Sequence, residues 1–309
     1  MAVLSLDWTE HPPLEFTGGA VTVGNFDGVH RGHRELVAAA RRWADRVGGP
    51  AVAVTFDPPP AALLYPRPDK AIPLTTLTDR AALLVAAGAD HVVTLRTDAG
   101  LLSLSPEAFF EDVLLGLFRA RAVVEGYNFR FGRARAGNTT TLRDLCVKSG
   151  VTFEEVPPLL VGGEPVSSSR VRAALVAGDV MQAADLLGRP HRIAGTVVTG
   201  AKRGRTIGFP TANLDGVPTL VPAVGVYAVR ALVDGASHPA AANVGPNPTF
   251  GDDACKIEIH LIDYAGDLYG RELSVEFGAR LRDTRPFAGV AELSEQLKRD
   301  VEAAKQLLG

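Results

Sequence analysis

Two histidines three residues apart sit in a glycine-punctuated run, Gly24-Asn25-Phe26-Asp27-Gly28-Val29-His30-Arg31-Gly32-His33. At a strand-to-helix turn, rings with this spacing can point at one anion. Gly24, Gly28 and Gly32 let backbone approach a phosphate closely, and the helix start adds unpaired N–H groups and a partial positive charge. Asn25 and Phe26 belong to the same loop. Further on, Ser167-Ser168-Ser169-Arg170-Val171-Arg172 opens another helix with hydroxyls and guanidinium groups, which suit a triphosphate. A second constellation begins at Gly200 and runs through Gly204, Arg205 and Gly208 to Phe209-Pro210-Thr211-Ala212-Asn213. Its backbone can wrap phosphates. Thr211 and Asn213 alternate, so in an extended stretch a hydroxyl and an amide oxygen face one side, as ligands for a nucleotide-held Mg²⁺. No Gly-Lys-(Ser/Thr) follows, so this is not a Walker loop. Glu258, between Ile257 and Ile259, can take a proton from an attacking hydroxyl. Taken singly, each signal has a plainer reading. Glycine-rich turns before helices are common, a serine run caps ordinary helices, and a Glu between two Ile is more often the solvent side of a strand.

These groups need elements to hold them. Residues 20–23, 51–56, 91–95, 122–124 and 151–156 read as strands, alternating with helical stretches at 34–47, 79–87, 105–117 and 141–149. That order implies a parallel sheet with crossover helices. The first constellation then falls at the carboxyl end of the first strand, where ligands bind in open α/β folds. After Gly188-Arg189-Pro190 the rhythm changes to short β-type runs at 193–198, 226–232, 241–244, 256–262 and 273–277. A final helix over 291–308 carries Leu293, Leu297, Val301 and Leu308 on one face. The expected class is α/β plus β: a parallel-sheet domain over residues 1–187, then a small antiparallel β-barrel with a C-terminal helix over 188–309.

The 309 residues carry 32 Lys+Arg against 35 Asp+Glu, a net charge of −3, and 6% aromatics. Near-neutral charge and scarce aromatics argue against a nucleic-acid binder. No apolar run approaches the roughly 18 residues of a membrane span, and residues 1–15 show no basic leader. The two cysteines, Cys146 and Cys255, lie far apart and fit a reducing, cytoplasmic setting. None of these patterns bears on oligomeric state.

The run Gly24 to His33 resembles the His-x-Gly-His signature of the nucleotidylyltransferase superfamily. Glu125-Gly126-Tyr127-Asn128-Phe129-Arg130-Phe131-Gly132 and Val166 to Arg172 are similar to its flavin-adenylylating branch. Pro210-Thr211-Ala212-Asn213, Asn243 to Phe250, Glu258 and Leu268-Tyr269-Gly270 resemble riboflavin kinase. Together the chain resembles the bacterial bifunctional riboflavin kinase/FAD synthetases.

The resemblance implies a Rossmann-like nucleotidylyltransferase domain that adenylylates FMN to FAD, and a barrel that phosphorylates riboflavin to FMN. Both steps would use ATP and Mg²⁺, so the partners are small-molecule substrates. It implies His30 and His33 at the α-phosphate. Gly24, Asn25, Phe26, Gly28, Gly32, Ser168, Ser169, Arg172, Gly204, Arg205 and Gly208 would bind nucleotide. Asn128, Arg130, Arg282 and Phe287 would meet flavin, Thr211 and Asn213 would hold the metal, and Glu258 would be the general base. One departure matters. Pro59 stands where the family usually reads His in Thr-Phe-(Asp/Glu)-Pro-His-Pro, so adenylylation is expected to survive in weakened form. The alternative is a riboflavin kinase whose N-terminal domain has weak, lost or altered activity.

Overall fold

The computed structural model describes residues 2–65, 72–200, 204, 207–247 and 252–308. Its contacts form two compact units, Met1–Ala71 with Thr76–Val166, and Ile72–Thr75 with Ser167–Gly309. The helical residues 168–187 thus cluster with the barrel.

In the first unit six strands lie parallel in the order β1-β4-β3-β2-β5-β6. They are β1 (Ala2–Leu6), β2 (Ala20–Val23), β3 (Ala51–Asp57), β4 (His91–Arg96), β5 (Ala122–Gly126) and β6 (Thr152–Val156). The inner strands are continuous apolar runs because helices cover both faces. The helices are α1 (Arg31–Val47), α2 (Pro60–Leu64), α3 (Leu77–Ala86), α4 (Ala99–Ser103), α5 (Pro106–Ala108) and α6 (Thr139–Ser149). One face packs Val21, Val54, Val93 and Val123 against Phe109, Phe110, Val113 and Leu114; on another, Ala53 and Val92 meet Phe26, Val37, Ala81 and Leu84. Two departures from the sequence expectation stand out. β1 adds an edge strand, and the helix expected over 105–117 is π-helical across Phe109–Leu117. A small hairpin of β7 (Leu160–Val161) and β8 (Glu164–Pro165) follows the sheet.

The second unit opens with α7 (Ser168–Ala177) and α8 (Val180–Leu187). A closed barrel follows in the order β10-β13-β12-β11-β14-β9. Its strands are β9 (His191–Val198), β10 (Ala212–Asp215), β11 (Gly225–Val233), β12 (Ala236–Asn247), β13 (Asp252–Leu261) and β14 (Glu272–Arg282). Closure leaves no unpaired strand edge. The last helix, α9 (Val290–Leu308), packs Val301, Ala304 and Leu308 on Ala228, Ile262 and Leu281. The fold is therefore a Rossmann-like parallel sheet followed by an antiparallel barrel and a C-terminal helix.

Candidate active sites

The strand order reverses between β2 and β5. These two strands pair only at Ala20–Ala122 and Val21–Val123, then part. The Val23 N–H beyond the split is taken by Glu125 Oε1 at 2.7 Å. Such a switch point opens the crevice where α/β sheets bind ligands. The Gly24–His33 turn rises from it directly.

His30 is the N-cap of α1: its Nδ1 accepts the His33 backbone N–H at 3.2 Å. An accepting Nδ1 puts the proton of a neutral ring on Nε2. The two imidazoles stack with centroids 3.6 Å apart and planes 15° apart, and Phe26 meets His33 edge-on at 5.2 Å. A Cβ on Gly32 would sit 3.2 Å from the His30 ring, so this glycine makes room for the pair. A Cβ on Gly24 would likewise sit 3.3 Å from the Phe26 ring. Asn25 is exposed, and Gly28 turns at φ +81°. Phe26 and Val29 also take positive φ, 46° and 40°, a conformation that costs a non-glycine residue roughly 1–3 kcal/mol. Both are 1% exposed, so packing holds them there. Burial, His30 and Arg80 together hold the His33 pKa well below the usual histidine value. A ring pair at a helix start, where backbone N–H groups are unpaired within the helix, can hold and donate hydrogen bonds to a phosphate.

In the second unit β13 lies between β10 and β12. Glu258 stands directly opposite Asn213 on one side and Asn243 on the other. Directly opposed residues share a face, so one carboxylate is flanked by two amides. Ile259, the next residue, points the other way and lines a cavity of about 590 Å³ with Val197, Thr211, Leu261, Leu268 and Tyr269. Thr211 therefore borders this cavity, and Asn213 belongs to the Glu258 row. A Cβ on Gly200 would come within 2.3 Å of the Asn213 amide, so the loop passes tightly over it. Gly204 carbonyl accepts from Ile207 and Phe209, Gly208 turns at φ +87°, and His260 Nδ1 lies 2.8 Å from the Pro210 carbonyl. Arg205 lies outside the described residues.

Comparison with known proteins follows the same division. Residues 13–170 match the FAD synthetase family model and residues 187–308 the riboflavin kinase model. A Pseudomonas fluorescens protein named bifunctional riboflavin kinase/FMN adenylyltransferase is 40% identical over 95% of this chain and 94% of its own. A Bacillus subtilis protein of the same name is 36% identical over 92% and 90%. This chain belongs to the bifunctional riboflavin kinase/FMN adenylyltransferase family. Among solved structures, a Streptococcus pneumoniae protein named macrolide-efflux protein superposes with a TM-score of 0.90, at 31% identity, over 99% of each chain. Among the described residues here, no helix is long and apolar enough to cross a membrane.

The family's remaining motif residues fall as follows. Asn128 and Arg130 are exposed after β5, alternating with Phe129 and Phe131, whose rings stack at 5.4 Å. Gly137 pairs with Phe131, and a Cβ there would overlap its ring, so the loop is pinned from below. Ser167 caps α7 by accepting the Arg170 N–H, which places Ser168 and Ser169 in the first turn. Arg172 Nη1 donates to the Ile72 carbonyl at 2.6 Å. Arg282 grips Asp300 of α9 through Nε and Nη2 at 2.7–3.1 Å and lies over the Phe287 ring at 5.6 Å. The sequence reading had Glu125 only as part of a motif and passed over Arg80. Their burial, 1% and 3% exposed, marks both. A lone charge on an otherwise apolar helix face was the available signal for Arg80.

Proposed function

We propose that the barrel unit phosphorylates riboflavin to FMN with ATP, and that the parallel-sheet unit adenylylates FMN to FAD with release of pyrophosphate. The observation that carries this is the pairing of chemistry with fold. A stacked His30–His33 couple stands at the switch point of one unit, and the Asn213–Glu258–Asn243 row stands on the barrel of the other. The narrower alternative, a kinase with an idle first domain, is no better supported.

In the kinase step the Glu258 carboxylate takes the riboflavin 5′-hydroxyl proton as that oxygen bonds to the γ-phosphorus. The bond to the β-bridging oxygen breaks and ADP leaves with the electron pair. In the second step an FMN phosphate oxygen attacks the ATP α-phosphorus and pyrophosphate leaves. The attacking group is already ionised, so no protein nucleophile is needed; orientation and charge stabilisation suffice. The Nε2–H of His30 and the ring of His33 serve the α-phosphate oxygens. Gly24, Asn25, Phe26, Gly28 and Gly32 shape that cradle. By motif, Ser168, Ser169 and Arg172 contact nucleotide phosphates, as do Gly204, Arg205 and Gly208 in the kinase step; Asn128, Arg130, Arg282 and Phe287 meet flavin.

Mg²⁺ belongs to this reading. Among the described residues no cluster of three His, Cys, Asp or Glu could cage a metal. The Thr211 hydroxyl and Asn213 amide oxygen are hard donors of the kind that suit an ion carried mainly by ATP phosphates. When bound, the ion would neutralise phosphate charge. The setting proposed is the cytoplasm, where ATP and thiols coexist. Incubation of the purified protein with FMN, ATP and Mg²⁺, with flavins separated chromatographically, tests the adenylylation half. FAD is expected, and none after long incubation would overturn it.

A further inference from the structure

The strained Gly24–His33 turn has a buried cation against it that the family motifs do not include. Arg80 lies on α3, whose Ala81 and Leu84 pack into one cluster with Phe26 and Val29 of the turn. Its guanidinium Nη1 donates to Thr55 Oγ1 at 3.3 Å, and Thr55 Oγ1 in turn donates to the Asn25 carbonyl at 3.1 Å. Nη2 lies 3.7 Å from Asp27 Oδ1, in the middle of the turn. The Arg80 side chain is 3% exposed, and its Nε is buried with no hydrogen-bond partner. A cation is costly to bury, and a half-satisfied one costs more. An apolar side chain would fill α3 with less penalty. The geometry that rewards arginine is the fork: two nitrogens reach two parts of one turn.

We propose that Arg80 is a positioning residue for FMN adenylylation, its guanidinium fork holding the turn by Asp27 directly and by Asn25 through Thr55. This rests on the adenylylation reading of the first unit. Phe26 and Val29 keep left-handed backbone only while their surroundings over-determine it. The packing of Ala81 and Leu84 fixes the apolar side of the turn, and Arg80 fixes its polar side. Released, the turn relaxes and the His30–His33 pair leaves the phosphate. Arg80 also faces His33. Among the described residues, His30 at the N-cap of α1 and Arg80 on α3 act on His33, and Asp27 in the turn and Asp57 at the end of β3 act in turn on Arg80. A positive charge there disfavours imidazolium, so Arg80 helps keep His33 neutral.

The test compares Arg80→Met and Arg80→Lys in the full chain. Both tryptophans, Trp8 and Trp43, lie in the first unit, so their fluorescence reports its folding. Riboflavin phosphorylation monitors the second. Arg80→Met is expected to lower the adenylylation kcat by about 10- to 100-fold, the scale of a misplaced reacting group. Kinase activity stays unchanged, and the acidic limb of the kcat pH profile moves to higher pH as His33 loses its cationic neighbour. Arg80→Lys keeps the charge and loses the fork, so the limb stays in place while kcat falls. Lysine with wild-type kcat would overturn the proposal, as would methionine with an unmoved limb. If Arg80→Met does not fold, Arg80→Lys alone decides by the same criterion. If the wild type forms no FAD, the reading of the domain has failed instead, and Arg80 is judged by calorimetric ATP affinity. Equal affinity in wild type and Arg80→Lys would then reject its role.

Discussion

His30 and His33 stack at 3.6 Å while the backbone N–H of His33 closes onto His30 Nδ1. One ring therefore has two tasks. It caps α1, and it fixes which of its nitrogens can donate outward.

These tasks separate by substitution. His30→Asn keeps an N-cap acceptor, and His30→Ala removes it at about 1 kcal/mol. Both lose the imidazole Nε2–H, and the shorter Asn amide does not reach its position, so FAD formation should fall by about 10²–10³-fold in each. Only the alanine variant should show a lowered denaturation midpoint by tryptophan fluorescence. Riboflavin phosphorylation should be normal in both.

Glu258→Gln keeps the shape of the Asn213–Glu258–Asn243 row and removes the base. FMN formation should drop by about 10²–10⁴-fold, while FAD formation from supplied FMN is retained. Steady-state assays of the two half-reactions measure this. Parallel loss of both would contradict two separate sites.

Glu125 is held by burial well above the usual carboxylate pKa of 4.5. The folded protein therefore keeps this proton where the unfolded chain loses it. The contribution to stability is full below pH 4.5 and declines as pH rises toward the folded value, by at most about 1.4 kcal/mol per pH unit. Glu125→Gln mimics the protonated acid and should gain on the wild type as pH increases, in urea midpoints followed by tryptophan fluorescence. Glu125→Leu strands the Val23 N–H and should cost about 1–3 kcal/mol at any pH.

Pro59 sits at φ −56° and ψ 136° before α2, angles that histidine adopts freely. Pro59→His should raise FAD formation by about 10-fold, below the roughly 10²–10³-fold that one fully placed donor contributes, and leave the kinase rate unchanged. Rates of the two half-reactions in the variant decide this.

Much of this was legible in sequence, for definable reasons. The runs Ala20–Val23 and 51–56 are buried on both faces, so their apolar continuity announces strands. β1 was missed because Ala2–Leu6 is a short edge strand that takes its place only by pairing with β4. The π-helical turns over Phe109–Leu117 bury Phe109, Phe110, Val113, Leu114 and Leu117, an apolar pattern that an ordinary helix would share. In the sites, the histidines and Glu258 carry spacing that a reader can weigh. Arg80 does not: its significance is its burial beside Asp27 and Thr55, residues 53 and 25 positions away in the chain. Asn243 shows its partnership with Glu258 only once the barrel register is known.

The central claim is that two ATP-dependent steps run on one chain. Riboflavin, Mg²⁺ and ATP labelled at either the α- or the γ-phosphate test it together. The γ label should enter FMN and persist in FAD, and the α label should appear only in FAD, with one pyrophosphate released per FAD. A γ-labelled FMN with no α label in any flavin would contradict the account.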